Sequence, residues 1–270
     1  MLVSQRIQLV VCDWAGTTVD FGCLAPAAAF LEAFARHKLM LTMQQVRAPM
    51  GLHKYDHVRT LLEMPAVSEQ FQFVYGRPWV EADVMNIYHE VTPLQASACE
   101  NHSVLIPGVV DVVATLRSRD VKIGSTTGYP RVVAEVVYEL AKAQGYEPDF
   151  NVAADDTPAA RPLPWMIFRI MEKLDIFPPL AVVKIGDTVP DIEEGRNAGC
   201  WSIGVTQTGS EMGLTPEEFA ALPEDVKKHK TEIVGRKLLD AGAHYVIPSI
   251  IELPQMIDHI EAGMETGQKP

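Results

Sequence analysis

Six short apolar runs punctuate the chain, and amphipathic stretches lie between most of them. The strongest runs are residues 7–12 (IQLVVC), 121–124 (VKIG) and 180–185 (LAVVKI). Each is nearly continuous in apolar residues, the pattern of a strand buried on both faces of a parallel sheet. Weaker runs occupy residues 150–153, 201–205 and 245–247. Between them, residues 109–119 set Val109, Val112, Val113 and Leu116 on one helical face, and residues 131–143 and 164–174 behave similarly. Strands alternating with helices predict an α/β fold with a Rossmann-like parallel sheet covered on both sides. In such sheets ligands lie at the carboxyl ends of the strands. The three strongest runs end at Asp13, at residues 125–127 (Ser-Thr-Thr) and at Asp187, so three polar endings share one sheet edge.

Residues 21–102 break the alternation. Helical patterns at 25–37, 43–48, 52–64 and 81–98 follow one another without a strong strand. They predict a helical cap domain, 21–102, inserted in a core formed by residues 1–20 and 103–270, with hinges near 20–23 and 101–108. Residues 207–230 read as loop-rich with short helical pieces, one at 215–222 with Thr215 as N-cap and Pro216 behind it. The tail after His259 is expected to fray.

Composition narrows the function. The chain has 270 residues, 47% hydrophobic and 21% charged, which suits one large domain or a core with an inserted unit. Residues 1–13 read as a short apolar strand with neither a basic leader nor a cleavage site, so no signal peptide is expected. No stretch approaches the roughly 20 apolar residues of a membrane span. Cys12, Cys23, Cys99 and Cys200 form no metal-type spacing, which points to a reduced, cytoplasmic chain. A net charge of −12 without a basic stripe argues against nucleic acid. A small anion could still bind at a local positive site built from a metal ion, a few cationic side chains and backbone N–H groups.

The strand ends supply candidates for that site. Asp13-Trp14-Ala15-Gly16-Thr17-Thr18 offers a carboxylate able to attack phosphorus, provided a metal offsets the repulsion between two anions. Taken alone, Asp13 reads more simply as the cap of a turn. Gly186-Asp187-Thr188-Val189-Pro190-Asp191 adds a second acidic end, whose Asp187 could share a magnesium ion with Asp13 while Asp191 orients it from behind. Thr126 and Thr127 bring hydroxyls and N–H groups suited to phosphate oxygens, or to capping a helix. Arg161, between prolines in Ala159-Ala160-Arg161-Pro162-Leu163-Pro164, could be a fixed cation or a solvated loop residue.

In this order, these segments resemble the four motifs of the haloacid dehalogenase superfamily, and the helical insert resembles its first class of cap. One position departs from the common pattern: Ala15 stands where phosphatases of that superfamily carry a second, proton-donating Asp. Its backbone carbonyl can still hold a metal, but ordinary ester cleavage would lack its acid. Met50-Gly51-Leu52-His53-Lys54-Tyr55-Asp56-His57 supplies a lysine that could be a snorkelling surface residue or an imine-forming amine. With Gly124-Ser125-Thr126-Thr127-Gly128-Tyr129 and Gly195-Arg196-Asn197-Ala198-Gly199, the segment is similar to the phosphonatase family, except that His53 replaces an apolar residue. That resemblance implies cleavage of the carbon–phosphorus bond of phosphonoacetaldehyde, with Lys54 forming a Schiff base and Asp13 taking the phosphoryl group. It implies Mg2+ on Asp13, the Ala15 carbonyl and Asp187, with Asp191 behind. Thr126, Thr127, Gly128 and Arg161 would hold the phosphoryl oxygens and His57 would move protons. Met50, Cys23 and Tyr129 would pack around the substrate, and the chain would form a homodimer through the cap. Competing expectations are a phosphatase for a small phosphate ester, a metal-free dehalogenase, and a catalytically silent binding protein on the same fold.

Overall fold

The computed structural model describes residues 6–270, so the N-terminal expectations for residues 1–5 lie outside the described residues. In chain order the elements are β1 (Leu9–Cys12), α1 (Leu24–Arg36), α2 (Met43–Arg47), α3 (Lys54–Glu63), α4 (Pro65–Tyr75), α5 (Glu81–His102) and α6 (Val109–Arg117). They continue with β2 (Lys122–Thr126), α7 (Arg131–Ala143), β3 (Phe150–Val152), α8 (Trp165–Leu174), β4 (Val182–Gly186) and α9 (Val189–Asn197). The chain closes with β5 (Trp201–Val205), α10 (Pro216–Ala221), α11 (Glu224–Asp240), β6 (Tyr245–Ile247) and α12 (Leu253–Glu265).

The six strands form one parallel sheet in the order β3-β2-β1-β4-β5-β6. The expected α/β parallel-sheet fold is what the chain adopts. Alternate residues of β1 point to opposite faces. Val10 and Cys12 join Ile123, Val183 and Ile203 in a cluster with α6, α7 and α12. Leu9 and Val11 meet Met166, Ile167 and Ile170 of α8 on the other side. Because β1 lies between β2 and β4, the chain reverses its direction across the sheet there. This opens a crevice at the carboxyl end of β1.

Helices α1–α5 bury a cluster of their own, centred on Phe30, Phe34, Val58, Leu62, Phe71 and Ile87. The two connections to the sheet run side by side: Asp20 N donates to Val104 O (3.0 Å) and Ile106 N to Thr18 O (2.9 Å).

Three local expectations are corrected and one helix is added. Residues 65–75, which carried no prediction, form α4, with Pro65 as its first residue. In 207–230 the loop to residue 215 and the short helix capped by Thr215 are as expected, but the loop-rich reading fails from Glu224, where α11 begins as one 17-residue helix. It buries little beyond Val234, Gly235 and Leu238, so its apolar stripe is too thin to read. The tail does not fray at His259, because Ile260 and Met264 of α12 pack into the core. The helix expected from residue 52 starts at Lys54, and Lys54 and His57 lie on its buried face with Val58, Leu61 and Leu62 rather than beside it.

Candidate active site

The loop after β1 is shaped by one glycine. Gly16 has φ +89°, and an added Cβ would lie 2.6 Å from Asp187 Oδ2, so only glycine lets the loop press against that carboxylate. Asp13 N donates to Ile185 O (2.9 Å), and Thr18 Oγ1 donates to Asp13 O (3.0 Å), which fixes the backbone on both sides of the acid. After β4, Thr188 caps α9: its hydroxyl accepts from Asp191 N and donates to Asp191 Oδ2 (2.5 Å). A capping box thus aims Asp191 back at the sheet edge. Asp187 accepts from Ser210 N (2.7 Å) through Oδ2, and Thr17 Oγ1 stands 3.4 Å from Oδ1.

A buried ionic network lies behind these groups. Arg161 Nη2 pairs with Asp13 Oδ1 (2.7 Å), Nη1 with Asp191 Oδ1 (2.9 Å) and Nε with Glu194 Oε2 (3.1 Å). Lys184 Nζ pairs with Asp191 Oδ1 (2.8 Å) and approaches Glu194 Oε2 (3.5 Å). Burial pushes the Asp13 carboxyl above its ordinary range, and repulsion from Asp191 adds to that, outweighing the pull of Arg161. Asp187 is pushed well up by burial and then by Asp13 and Asp191. Burial also opposes ionisation of Asp191, yet Arg161 and Lys184 together hold its carboxyl low. Four carboxylates therefore face two cations. Carboxylate oxygens of Asp13, Asp187 and Asp191 lie within 4.8 Å of one another, a hard-oxygen cluster with unbalanced negative charge that fits a divalent cation.

The helical side completes the crevice. Lys54 and Asp13 line one cavity, together with Ala15, Cys23, Met50 and Thr127. Lys54 is buried, its Nζ 5.0 Å from the Tyr129 ring centre and 5.9 Å from that of Phe30. Burial lowers the amine pKa, with Cys23 and Asp13 partly opposing the shift. Cys23 Sγ points at the Ala15 carbonyl (3.6 Å), which places that oxygen at the cavity.

Most expected residues meet here: Asp13, Ala15, Cys23, Met50, Lys54, Thr127, Gly128, Tyr129 and Arg161 all line the cavity. Thr126 does not. Its hydroxyl is buried among Arg161 Nη2 (2.7 Å), Lys184 Nζ (3.1 Å) and Glu194 Oε2 (3.2 Å), so it serves the network rather than a ligand. His57 also stays out of the lining. Its Nε2 meets Val46 O (2.9 Å) and its ring stacks on Phe30 at 3.8 Å. Burial and the neighbouring Lys54 hold the imidazole well below its ordinary pKa, so it is neutral and badly placed to relay protons. His53 sits at the N-cap of α3, its own pKa lowered by burial.

Lys184 and Glu194 were missed by sequence reasoning, although each left a signal. A lysine inside the apolar run VVKIG has no reason to be buried unless it is paired. Glu194 lies three residues after Asp191, on the same face of α9.

A carboxylate at the end of the central strand, backed by a loop arginine and joined by a second acidic strand end, is the arrangement of haloacid dehalogenase-like hydrolases. The model of that family matches residues 7–199. The chain is 46% identical over 257 residues to the phosphonoacetaldehyde hydrolase of Bacillus cytotoxicus, covering 95% of this chain and 97% of that one. It is 44% identical over 264 residues to the enzyme of that name from Syntrophobacter fumaroxidans, covering 98% and 95%. A crystal structure of a phosphonoacetaldehyde hydrolase-like protein from Oleispira antarctica superposes with a TM-score of 0.97 at 35% identity, covering 99% of this chain and 97% of that one. Within the haloacid dehalogenase-like hydrolases, the chain belongs to the phosphonoacetaldehyde hydrolase family.

Proposed function

We propose that this protein hydrolyses the carbon–phosphorus bond of phosphonoacetaldehyde to acetaldehyde and phosphate. One observation carries the reading: an amine with a lowered pKa and a strand-end carboxylate line the same cavity, with Ala15 where an ester-cleaving acid would stand. Direct cleavage would expel an enolate, a poor leaving group, so the carbonyl is first converted into a stronger electron sink. The Lys54 amine condenses with the aldehyde, releasing water and leaving an iminium. Asp13 attacks phosphorus, and the electron pair of the breaking bond moves into the iminium to give a neutral enamine. No oxygen leaving group arises, so Ala15 has no proton to supply. The enamine takes a proton at carbon, water releases acetaldehyde and restores the amine, and a second water frees phosphate from Asp13.

Asp13, Asp187 and the Ala15 carbonyl would hold Mg2+, with Asp191 fixed behind them. Bound there, the ion would lower the repulsion between carboxylate and phosphonate. Thr127 and Gly128 would receive the phosphoryl oxygens at the start of α7. Arg161 would aim Asp13 and partly offset the effect of burial on its carboxyl. Met50, Cys23 and Tyr129 would exclude water around the imine. His57, neutral and stacked, would support Lys54 by packing. Residues 21–102 would act as a cap, hinged at the paired connections, on a core of 1–20 and 103–270. The four buried free thiols suit a reducing cytoplasm, and no helix among the described residues is long and apolar enough to cross a membrane. A homodimer through the cap, as the resemblance implies, would cover exposed side chains such as Phe73 and Met40.

Phosphate release from phosphonoacetaldehyde by wild type and Lys54→Arg tests the reading. Arg keeps the charge but forms no imine, so the variant should lose at least about a thousandfold in rate. Borohydride reduction with substrate should add the two-carbon unit to Lys54 in wild type alone. Near-normal turnover by Lys54→Arg, or comparable turnover of generic phosphate esters by wild type, would overturn it.

A further inference from the structure

Arg47 ends α2 in the helical unit, yet its guanidinium reaches three backbone carbonyls beyond that unit's own core. Nη1 donates to Gly22 O (2.9 Å) and to Ser210 O (2.6 Å), and Nη2 donates to Gly213 O (3.2 Å). Gly22 lies in the first connection, and the other two acceptors lie in the loop between β5 and α10. That loop is tied to the catalytic edge at two further points and to the first connection at another. Thr208 Oγ1 donates to Gly16 O (2.7 Å), Gly22 N donates to Thr208 O (2.7 Å), and Ser210 N donates to Asp187 Oδ2 (2.7 Å). Ser210 therefore orients Asp187 with its N–H while its carbonyl is held by Arg47. The approach is made for a bare backbone: at Gly213 (φ +64°) an added Cβ would lie 2.5 Å from Arg47 Nη1. Gly209 packs directly on the Asp187 side chain and likewise leaves no room for a Cβ.

We propose that Arg47 is a positioning residue that couples seating of the helical unit to the geometry of Asp187. With the unit seated, the guanidinium locks the 208–213 loop, the loop fixes Asp187, and the same movement brings Lys54 into the cavity. Imine-forming amine and cation-holding carboxylate are then set together. A planar fork of donors suits three separated carbonyls, which the single ammonium of a lysine does not. The inference rests on the proposed division of labour between Lys54 and Asp187, and its test must separate the two.

The test compares wild type, Arg47→Gln, Arg47→Lys and Gly213→Ala. Circular dichroism checks folding, calorimetry reads Mg2+ binding to the substrate-free protein, and borohydride trapping with acetaldehyde reads the Lys54 imine. Arg47→Gln should weaken Mg2+ binding at least about fivefold and slow trapping by a similar factor, with Arg47→Lys recovering only part. Gly213→Ala should reproduce the loss by displacing the guanidinium without removing a charge, and it decides the matter should Arg47→Gln not fold. Mg2+ affinity within about twofold of wild type in a folded variant overturns the coupling, even where turnover falls. Failure of wild type to trap acetaldehyde overturns the imine reading instead, and leaves the Mg2+ comparison to judge Arg47 separately.

Discussion

Lys54 and Lys184 are both buried lysines, and their surroundings make them opposites. Lys54 is the first residue of α3, where burial and the positive end of the helix both disfavour an ammonium. No carboxylate pairs with it among the described residues. Its reactive form grows as pH rises through the lowered pKa, so more free amine is present near neutrality than on a surface lysine. The rate of amine modification, followed by peptide mass against pH, should accordingly turn up below the ordinary lysine range. The sign for stability follows the same shift. Between the lowered folded value and the ordinary value near 10.5, the unfolded chain binds more protons, so the unfavourable burial acts below that window and fades above it. Lys54→Met should abolish turnover yet stabilise the fold at pH 7 by about 1 kcal/mol, roughly 2–4 °C in melting temperature. Lys184 instead neutralises Asp191 and Glu194. Lys184→Met should cost about 3–5 kcal/mol in urea unfolding, because two buried carboxylates lose a partner.

Among the elements, α9 and α12 show how a local device serves a distant site. The capping box of α9 would start a helix anywhere, but here its Asp191 also meets Arg161 and Lys184. Thr188→Val should therefore cost more activity than the roughly 1 kcal/mol of a lost cap, measured as kcat beside the melting temperature. Helix α12 holds the far end of the molecule. Ile260 and Met264 are buried, and Glu261 accepts from Ile7 N (2.8 Å), tying the helix to the approach to β1. Removing residues 260–270 should lower stability by about 3 kcal/mol or more, the scale of losing buried aliphatic side chains. Thermal melts that match the full chain would show that the helix end does not matter. α4 and α11 were illegible for one reason: each presents only two or three buried positions, so periodicity carries little signal.

At the scale of the molecule, a chain with a net charge of −12 concentrates four of its carboxylates around two cations at one sheet edge. Folding holds that excess charge together, so a divalent cation should bind the folded state in preference to the unfolded. Saturating Mg2+ at about a hundred times its dissociation constant should add about 2.7 kcal/mol, seen as a higher melting temperature. EDTA should remove both that increment and turnover, and Asp187→Asn should blunt the response. An unchanged melting temperature would count against metal binding at this edge.

The order of apolar runs was enough to determine a parallel sheet, the edge on which Asp13, Thr127 and Asp187 would meet, and the helical interruption between the first two strands. Those follow from the chain alone, since burial on both faces and strand direction are local consequences of composition and connection. Lys54 as an amine and Ala15 as a missing acid were legible as residue types in recognisable surroundings. Only the tertiary structure decided that the Thr126 hydroxyl turns inward, that His57 is neutral and stacked on Phe30, that Lys184 and Glu194 join the buried charge network, and that Arg47 reaches the loop before α10. These residues come from separate segments of the chain. Which side chains share a buried charge, and which of them faces the cavity, depends on distances that exist only once the sheet and helices have packed.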